Sequence, residues 1–341
     1  IKEEVILPGT KENIGTILWT DISNRKLDTK LEDDALCLSG ELSVFCLYES
    51  PEGKADWIEQ AVSYEGRVNC SGVEPSMYHY ITADLDEVNV DMRTDEDGEM
   101  RSIGIEGTLN LKIAVYEEQT VEVLEDVYSL RHECNLKKEK VRNEELILQN
   151  HSKCKLSEQL SLPELKEDIL QICHNSGEVQ VQKMERAEQG IQIEGILHLQ
   201  FLYVKESDEV PFDTWQGMIP FSYLIECDEM NEDTVYDINY GLEQLSVSML
   251  GSGEVEVKAV LAFHSFIRRQ LWQNVITDME ALPFDMEKIG KEPGITGYIV
   301  KEGDELWDLA KQYRTTTERI QATNGLNNGE IKEGDKILIF K

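Results

Sequence analysis

The sequence predicts a mainly β protein: two repeated antiparallel β-rich domains, sandwich or barrel-like, followed by a small α+β module ordered strand, helix, helix, strand. Three observations carry this. Residues 7–48 align on 162–203 without a gap when shifted by 155 positions. Apolar residues inside each copy recur with period two, and the last 44 residues change to helical spacing. A chain of 341 residues holds two or three domains, and 40% hydrophobic against 29% charged residues is a globular composition. The expected division is a first β domain over 1–132, a linker over 133–160, a second β domain over 161–282, a flexible tether over 283–297 and the C-terminal module over 298–341.

The repeat is long in register. Leu7-Pro8 falls on Leu162-Pro163, Lys11-Glu12 on Lys166-Glu167, Gly40 on Gly195 and Leu47-Tyr48 on Leu202-Tyr203. With small gaps, Leu85, Val88, Val90 and Met92 follow the spacing of Leu242, Leu245, Val247 and Met249, and the stretch from Val121 to Leu130, with Asp126, parallels the one ending Thr277-Asp278. In the first copy Ile103, Ile105, Leu109, Leu111, Ile113 and Val115 alternate with mainly polar residues, as a strand with one buried face requires. In the second, Ile191, Ile193, Leu197, Leu199, Phe201 and Tyr203 do the same, as do Val255, Val257, Ala259, Leu261 and Phe263. Asp95-Glu96-Asp97-Gly98 and Gly251-Ser252-Gly253 are turn clusters between strands. A short helix is expected to open each copy, signalled in the second by Ser161-x-x-Glu164 with Pro163.

Glu133 to Ser161 is charged, with Lys137-Lys138-Glu139-Lys140, and reads as the linker; Pro283 to Gly297, with Gly290, Pro293 and Gly294, reads as the tether. Beyond it, Tyr298-Ile299-Val300 starts a strand and Gly303-Asp304 makes a turn and helix cap. Leu306, Leu309, Ala310 and Tyr313 then share one helix face. Thr315-x-x-Glu318 has the form of a capping box, Ile320 anchors the second helix, Asn324-Gly325 suits a left-handed C-cap, and Ile337-Leu338-Ile339 closes as a strand.

Charge narrows the partners. Against 33 Lys and Arg stand 67 Asp and Glu, a net −34 that repels phosphate backbones and anionic lipid, so neither nucleic acid nor a membrane surface is expected as a partner. No run reaches the roughly 18 apolar residues of a spanning helix, and Ile1-Lys2-Glu3-Glu4 carries no apolar signal core. The missing initiator Met fits a trimmed piece of a longer protein. Seven scattered cysteines, odd in number and without a C-x-x-C, read as reduced intracellular thiols.

Chemistry finds no foothold. His132-x-Cys134, His151-x-x-Cys154 and Cys173-His174 match no standard zinc spacing and read as plain linker and strand residues. His79, His198 and His264 fall in or near alternating strands, at surface or satisfied positions. Phosphate-binding loops, dinucleotide fingerprints, H-E-x-x-H and G-x-S-x-G are all missing, so no catalytic residue, metal or cofactor is expected. Trp57 and Trp215 occupy nearly corresponding positions, either as equivalent core residues or as a shared interaction anchor.

The run from Tyr298 through Lys301-Glu302-Gly303-Asp304-Glu305-Leu306-Trp307 to Ala310, then Ile320, Asn324-Gly325-Leu326 and Ile331 to Ile339, resembles a LysM domain over its whole length. That resemblance implies a shallow groove for N-acetylglucosamine polymers such as peptidoglycan. Its sides would be Gly303, Asp304, Glu305 and Leu306 against Asn324, Gly325, Leu326 and Ile331, with Trp307 as an adjoining anchor. Glu305 stands where Thr or Ser is common and Gly325 where Pro is frequent. The repeats are similar to the SPOCS domain of endospore formers, through the opening Leu-Pro, the Gly before a strand ending Leu-Tyr, and the closing Asp126-Val127-Tyr128. Together the parts resemble the SipL-type spore-coat morphogenesis proteins. The resemblance implies a non-enzymatic coat-assembly protein in the mother-cell cytoplasm at the forespore surface and in the spore coat, its LysM module docking on a basement-layer partner, stage IV sporulation protein A. The alternative is a cell-wall protein that binds peptidoglycan or N-acetylglucosamine oligomers.

Overall fold

A computed structural model describes the chain except residues 166–168, 207–210, 252 and 327–328. The repeat match at Lys166-Glu167 and the turn residue Ser252 therefore lie outside the described residues. The chain forms two compact units, one of Ile1–Gln119 with Glu144–Gln270 and one of Thr120–Asn143 with Leu271–Lys341.

In the first unit each repeat is a sandwich of two three-stranded open sheets. Repeat one pairs β2 (Thr16–Glu32), β3 (Ala35–Glu49) and β4 (Ala55–Asn69) in that order, and covers them with β1 (Lys2–Ile6), β6 (Met100–Tyr116) and β5 (Tyr78–Thr94), ordered β1-β6-β5. Repeat two copies this plan with β8 (Ile169–Ala187), β9 (Gly190–Lys205) and β10 (Phe212–Glu226) against β11 (Thr234–Gly251), β12 (Glu254–Pro283) and β7 (His132–Ser161). The inward residues of both sheets fill one core per repeat: Leu42, Val44, Cys46, Tyr48, Ile103 and Ile105 in the first, Ile191, Ile193, Leu197, Phe201, Leu261 and Phe263 in the second. The expected opening helix is reduced in repeat two to a 3-10 turn, Pro163–Leu165; in repeat one residues 7–15 form turns and bends.

The shared glycine has a packing reason. Gly40 pairs with Tyr64 across β3 and β4, and Gly195 with Phe221 across β9 and β10. In each case the partner ring lies over the bare Cα, so an added Cβ would come within 2.2 Å of the Tyr64 ring or 2.6 Å of Phe221. Both repeats also carry the same bulge, at Leu18 and at Cys173, so Trp19 faces Leu47 as His174 faces Leu202.

These bulged segments meet at a second buried layer between the repeats. Phe45, Leu47, Cys173 and Leu202 are buried there, with Trp57 and Phe212 edge to face at 6.3 Å. This explains why Val44-Phe45-Cys46-Leu47-Tyr48 has no polar alternation: one set of side chains faces its own core and the other faces the next repeat. The two tryptophans are not equivalent. Trp57 pairs with Leu47 and lies between repeats, whereas Trp215 pairs with Phe201, stacks on it at 5.1 Å and belongs to the second core. A one-residue offset moves a side chain to the opposite face of a strand.

Residues 133–160, expected as a linker, form most of the strand β7. The first half of β7 is polar because neither face is buried; main-chain pairing with β12 holds it, so no alternation marks it in the sequence. The far half of β12 and the near half of β7 start the second unit, where Asn143 bonds Gln273 at 3.1 Å and the Lys140 ammonium lies 4.9 Å from the Trp272 ring. Over 283–297 there is a short helix, α1 (Met286–Ile289). Glu292 pairs with Arg314 and Lys341, Phe284 takes the Arg314 guanidinium on its ring, and the Gly294 carbonyl accepts from the Lys341 amide. The C-terminal module follows as β13 (Ile295–Ile299), α2 (Leu306–Tyr313), α3 (Thr317–Asn324) and β14 (Lys336–Phe340), the two strands antiparallel under the two helices. Val300, Leu306, Leu309, Ala310, Ile320, Ile337 and Ile339 are its core.

Candidate functional site

The expected groove of the C-terminal module is built from two helix termini. At the start of α2 the N-cap is Glu305, one residue after the expected Asp304, and its side chain caps nothing. Asp304 is instead occupied with the strand: its carboxylate accepts from the Lys301 amide and the Tyr298 hydroxyl, both at 2.8 Å, and these bonds hold it below the usual carboxylate range. Gly303, at φ 83°, supplies the left-handed turn that brings this carboxylate back. Leu306 is buried in the core.

On the other side, α3 is capped by Thr316, one residue later than the Thr315 expectation; its hydroxyl accepts from the Arg319 amide. Thr315 is fully buried. Gly325 ends α3 in the left-handed conformation at φ 65°. Asn324 turns inward: its amide donates to the carbonyls of Ile320 and Leu338 and accepts from the Leu338 amide, all at 2.7–2.8 Å, clamping α3 to β14. Leu326 and Ile331 pack on the core. Of the nine residues expected at this site, Gly303, Glu305, Trp307 and Gly325 are the exposed ones.

Two further surfaces of the same unit come only from the structure. Ile295 pairs with Phe340 and Gly297 with Leu338, so Ile295, Ile299, Leu338 and Phe340 share the outer face of the two-stranded sheet, at 58, 60, 49 and 41% exposure. Together they form an exposed apolar patch on one small sheet, the kind of surface that marks a candidate interaction site. On α2, Trp307 and Lys311 lie one turn apart on the outer face, and residues from 120–131 reach them. Trp307 Nε1 donates to Asp126 Oδ2 at 2.8 Å, Lys311 Nζ reaches both Asp126 oxygens at 2.7 and 2.8 Å, and the Tyr128 hydroxyl donates to the Thr315 carbonyl at 3.1 Å. The Tyr128 ring meets Trp307 edge on at 4.8 Å. Burial pushes the Asp126 carboxyl up, but Lys311 and Trp307 outweigh it and hold the group below its ordinary value. In the sequence, Asp126-Val127-Tyr128 is visible only as a repeat motif; the tertiary partner of Asp126, 181 residues away, leaves no spacing signal.

The histidines occupy defined places in the first unit. His174 sits between the repeats, 3% exposed, stacked on Phe45 at 4.1 Å, with Nε2 2.9 Å from Asp21 Oδ2 and Nδ1 3.0 Å from Glu59 Oε1. Ionised carboxylates only accept, so this geometry favours the imidazolium form of His174, with a proton on each ring nitrogen. His79 bonds Thr29 and His198 bonds Gln180, while His264 stacks on His151 at 4.1 Å. His79, His151 and His264 line a cleft of about 750 Å³ between the repeats. Among the described residues no three His, Cys, Asp or Glu side chains converge as a metal site.

Residues 13–93 and 168–250 match the family model described as SipL, SPOCS domain, and 298–340 match the LysM domain. The chain thus carries a tandem of SPOCS domains followed by one LysM domain, binding domains of a non-catalytic kind. The SipL match sets it in a sporulation context. Neither a curated protein nor a solved structure matches it. No helix among the described residues is long and apolar enough to cross a membrane.

Proposed function

We propose that this chain is a non-enzymatic assembly protein of the spore coat, acting at the forespore surface in the mother cell. The two SPOCS domains are its body. The LysM module is its docking head for a basement-layer partner, the coat ATPase stage IV sporulation protein A. The observation that carries this reading is how the module uses its groups: Asn324 and Asp304 are committed to internal hydrogen bonds, while Ile295, Ile299, Leu338, Phe340 and Trp307 stand exposed. Sugar recognition needs free polar groups around an apolar floor, whereas a protein interface is anchored on clustered apolar and aromatic side chains. The module counts seven Lys and Arg against eight Asp and Glu, so nearly all of the net −34 lies outside it and does not oppose docking there. Linked modules raise one another's effective concentration, which suits attachment to a polymeric layer.

Peptidoglycan binding is the second reading, favoured by the LysM match itself. Calorimetric titration of the full chain against the coat ATPase and against N-acetylglucosamine oligomers separates the two. Docking predicts heat with the ATPase alone, lost in Leu338→Asp. Heat with the oligomers alone, strengthened by Glu305→Thr, would replace docking with wall binding.

A further inference from the structure

Residues 117–131 run without helix or strand structure and are rich in carboxylates: Glu117, Glu118, Glu122, Glu125 and Asp126. Such a segment has little reason to be held on a surface. Yet the Leu124 carbonyl accepts a hydrogen bond from the Ile276 amide at 3.2 Å, and two residues on, one carboxylate of Asp126 takes both the indole N–H of Trp307 and the ammonium of Lys311. Tyr128, two residues beyond Asp126, then meets the Trp307 ring edge on and delivers its hydroxyl to the Thr315 carbonyl in the turn between α2 and α3. Lys138 adds a more distant charge, 4.0 Å from Asp126. Charge, aromatic edge and main-chain acceptor are thus each matched over three residues, which is how a peptide-recognition face is laid out.

We propose that the outer face of α2 is a docking site for an extended acidic segment with a carboxylate two residues before a tyrosine, and that Asp126-Val127-Tyr128 fills it in cis. A protein that uses this face brings a segment of the same chemistry and displaces 120–131. The strap therefore restrains docking until a stronger trans segment competes. The restraint is strong for its size because the tethered segment is present at high effective concentration. Restraint of docking rests on the LysM module being the docking head; the recognition face itself does not.

The test is competition in the full chain. A fluorescein-labelled peptide of residues 117–131 is titrated into wild type, into Asp126→Asn/Tyr128→Ala, which vacates the face, and into that double variant carrying Trp307→Ala. The vacated chain should bind the peptide at least about tenfold more tightly than wild type. Trp307→Ala should abolish binding. Equal binding by wild type and the vacated chain, or binding by neither, overturns the proposal. Tyr128→Phe, which removes only the hydroxyl bond, guards against a folding artefact and should fall between the two. The coat ATPase is absent from this experiment, so its outcome is independent of the titration that tests docking.

Discussion

His174 carries the most informative single charge. Burial alone lowers a histidine pKa, but the hydrogen bonds to Asp21 and Glu59 reverse this, so its pKa is raised above the ordinary value. A base whose folded pKa is raised contributes stability that is complete below about pH 6.5, its unfolded value, and is lost as pH rises through the folded pKa. His264 has the opposite sign. Burial, with His151 beside it, lowers its pKa to about 4, so its contribution is complete above about pH 6.5 and is lost as pH falls toward 4. Denaturant titrations of wild type, His174→Phe and His264→Phe from pH 4 to 9 should therefore diverge in opposite directions. The His174→Phe deficit is largest in acid and shrinks in base, with a cost of about 1–2 kcal/mol at pH 6, since solvent screens the partly buried Asp21 and the exposed Glu59. The His264→Phe difference shifts in favour of the variant below pH 6. A constant His174→Phe deficit across the range would mean that the ring is held by stacking alone. Neither environment shows in the sequence, where both residues are polar insertions in alternating strands.

At the scale of the element, the central strand of each repeat depends on a missing side chain. Gly195 sits under Phe221 and beside the Gln180 carbonyl, which an added Cβ would approach to 2.5 Å. Backbone cannot move aside as a flexible side chain can, so Gly195→Ala should cost about 2–3 kcal/mol, as overpacking of a tight core does. For Gly40→Ala the nearest atoms all belong to the Tyr64 side chain, and the change should cost about 1–2 kcal/mol, since a ring can turn. Equal midpoint shifts in the two variants would show that the main-chain contact at Gly195 is relieved by strand bending. The alignment of Gly40 with Gly195 was legible in the sequence, and the cross-strand aromatic explains it. The helices of the module and the Gly325 C-cap were legible too, but each N-cap lay one residue further on. A Thr or Asp beside the true cap has the same capacity, and only the turn geometry at Gly303 and Arg314 decides between neighbours.

At the scale of the molecule, net charge has the widest reach. Most ion pairs here are exposed and contribute little, while an excess of 34 negative charges acts on every folded part of the body. Raising NaCl from about 0.02 to 0.5 M screens that repulsion within a few ångströms. The thermal midpoint of the SPOCS body should rise by several degrees, followed by circular dichroism. A midpoint that falls with salt would mean that local pairs such as Arg268 with Glu144 and Asp237 outweigh the repulsion.

Sequence alone determined the tandem β repeat, the closing strand-helix-helix-strand module and the family resemblance, because period, register and capping are properties of neighbouring residues. Tertiary structure decided the rest. It made 133–160 a strand, since pairing to β12 supplies the hydrogen bonds that no apolar pattern announces. Trp57 and Trp215 went to opposite faces through a one-residue offset. His174 met its two carboxylates, and Asp126 its indole and ammonium, across more than a hundred residues of chain. Contacts of that range are set by how folded surfaces meet, and a linear pattern holds no record of them.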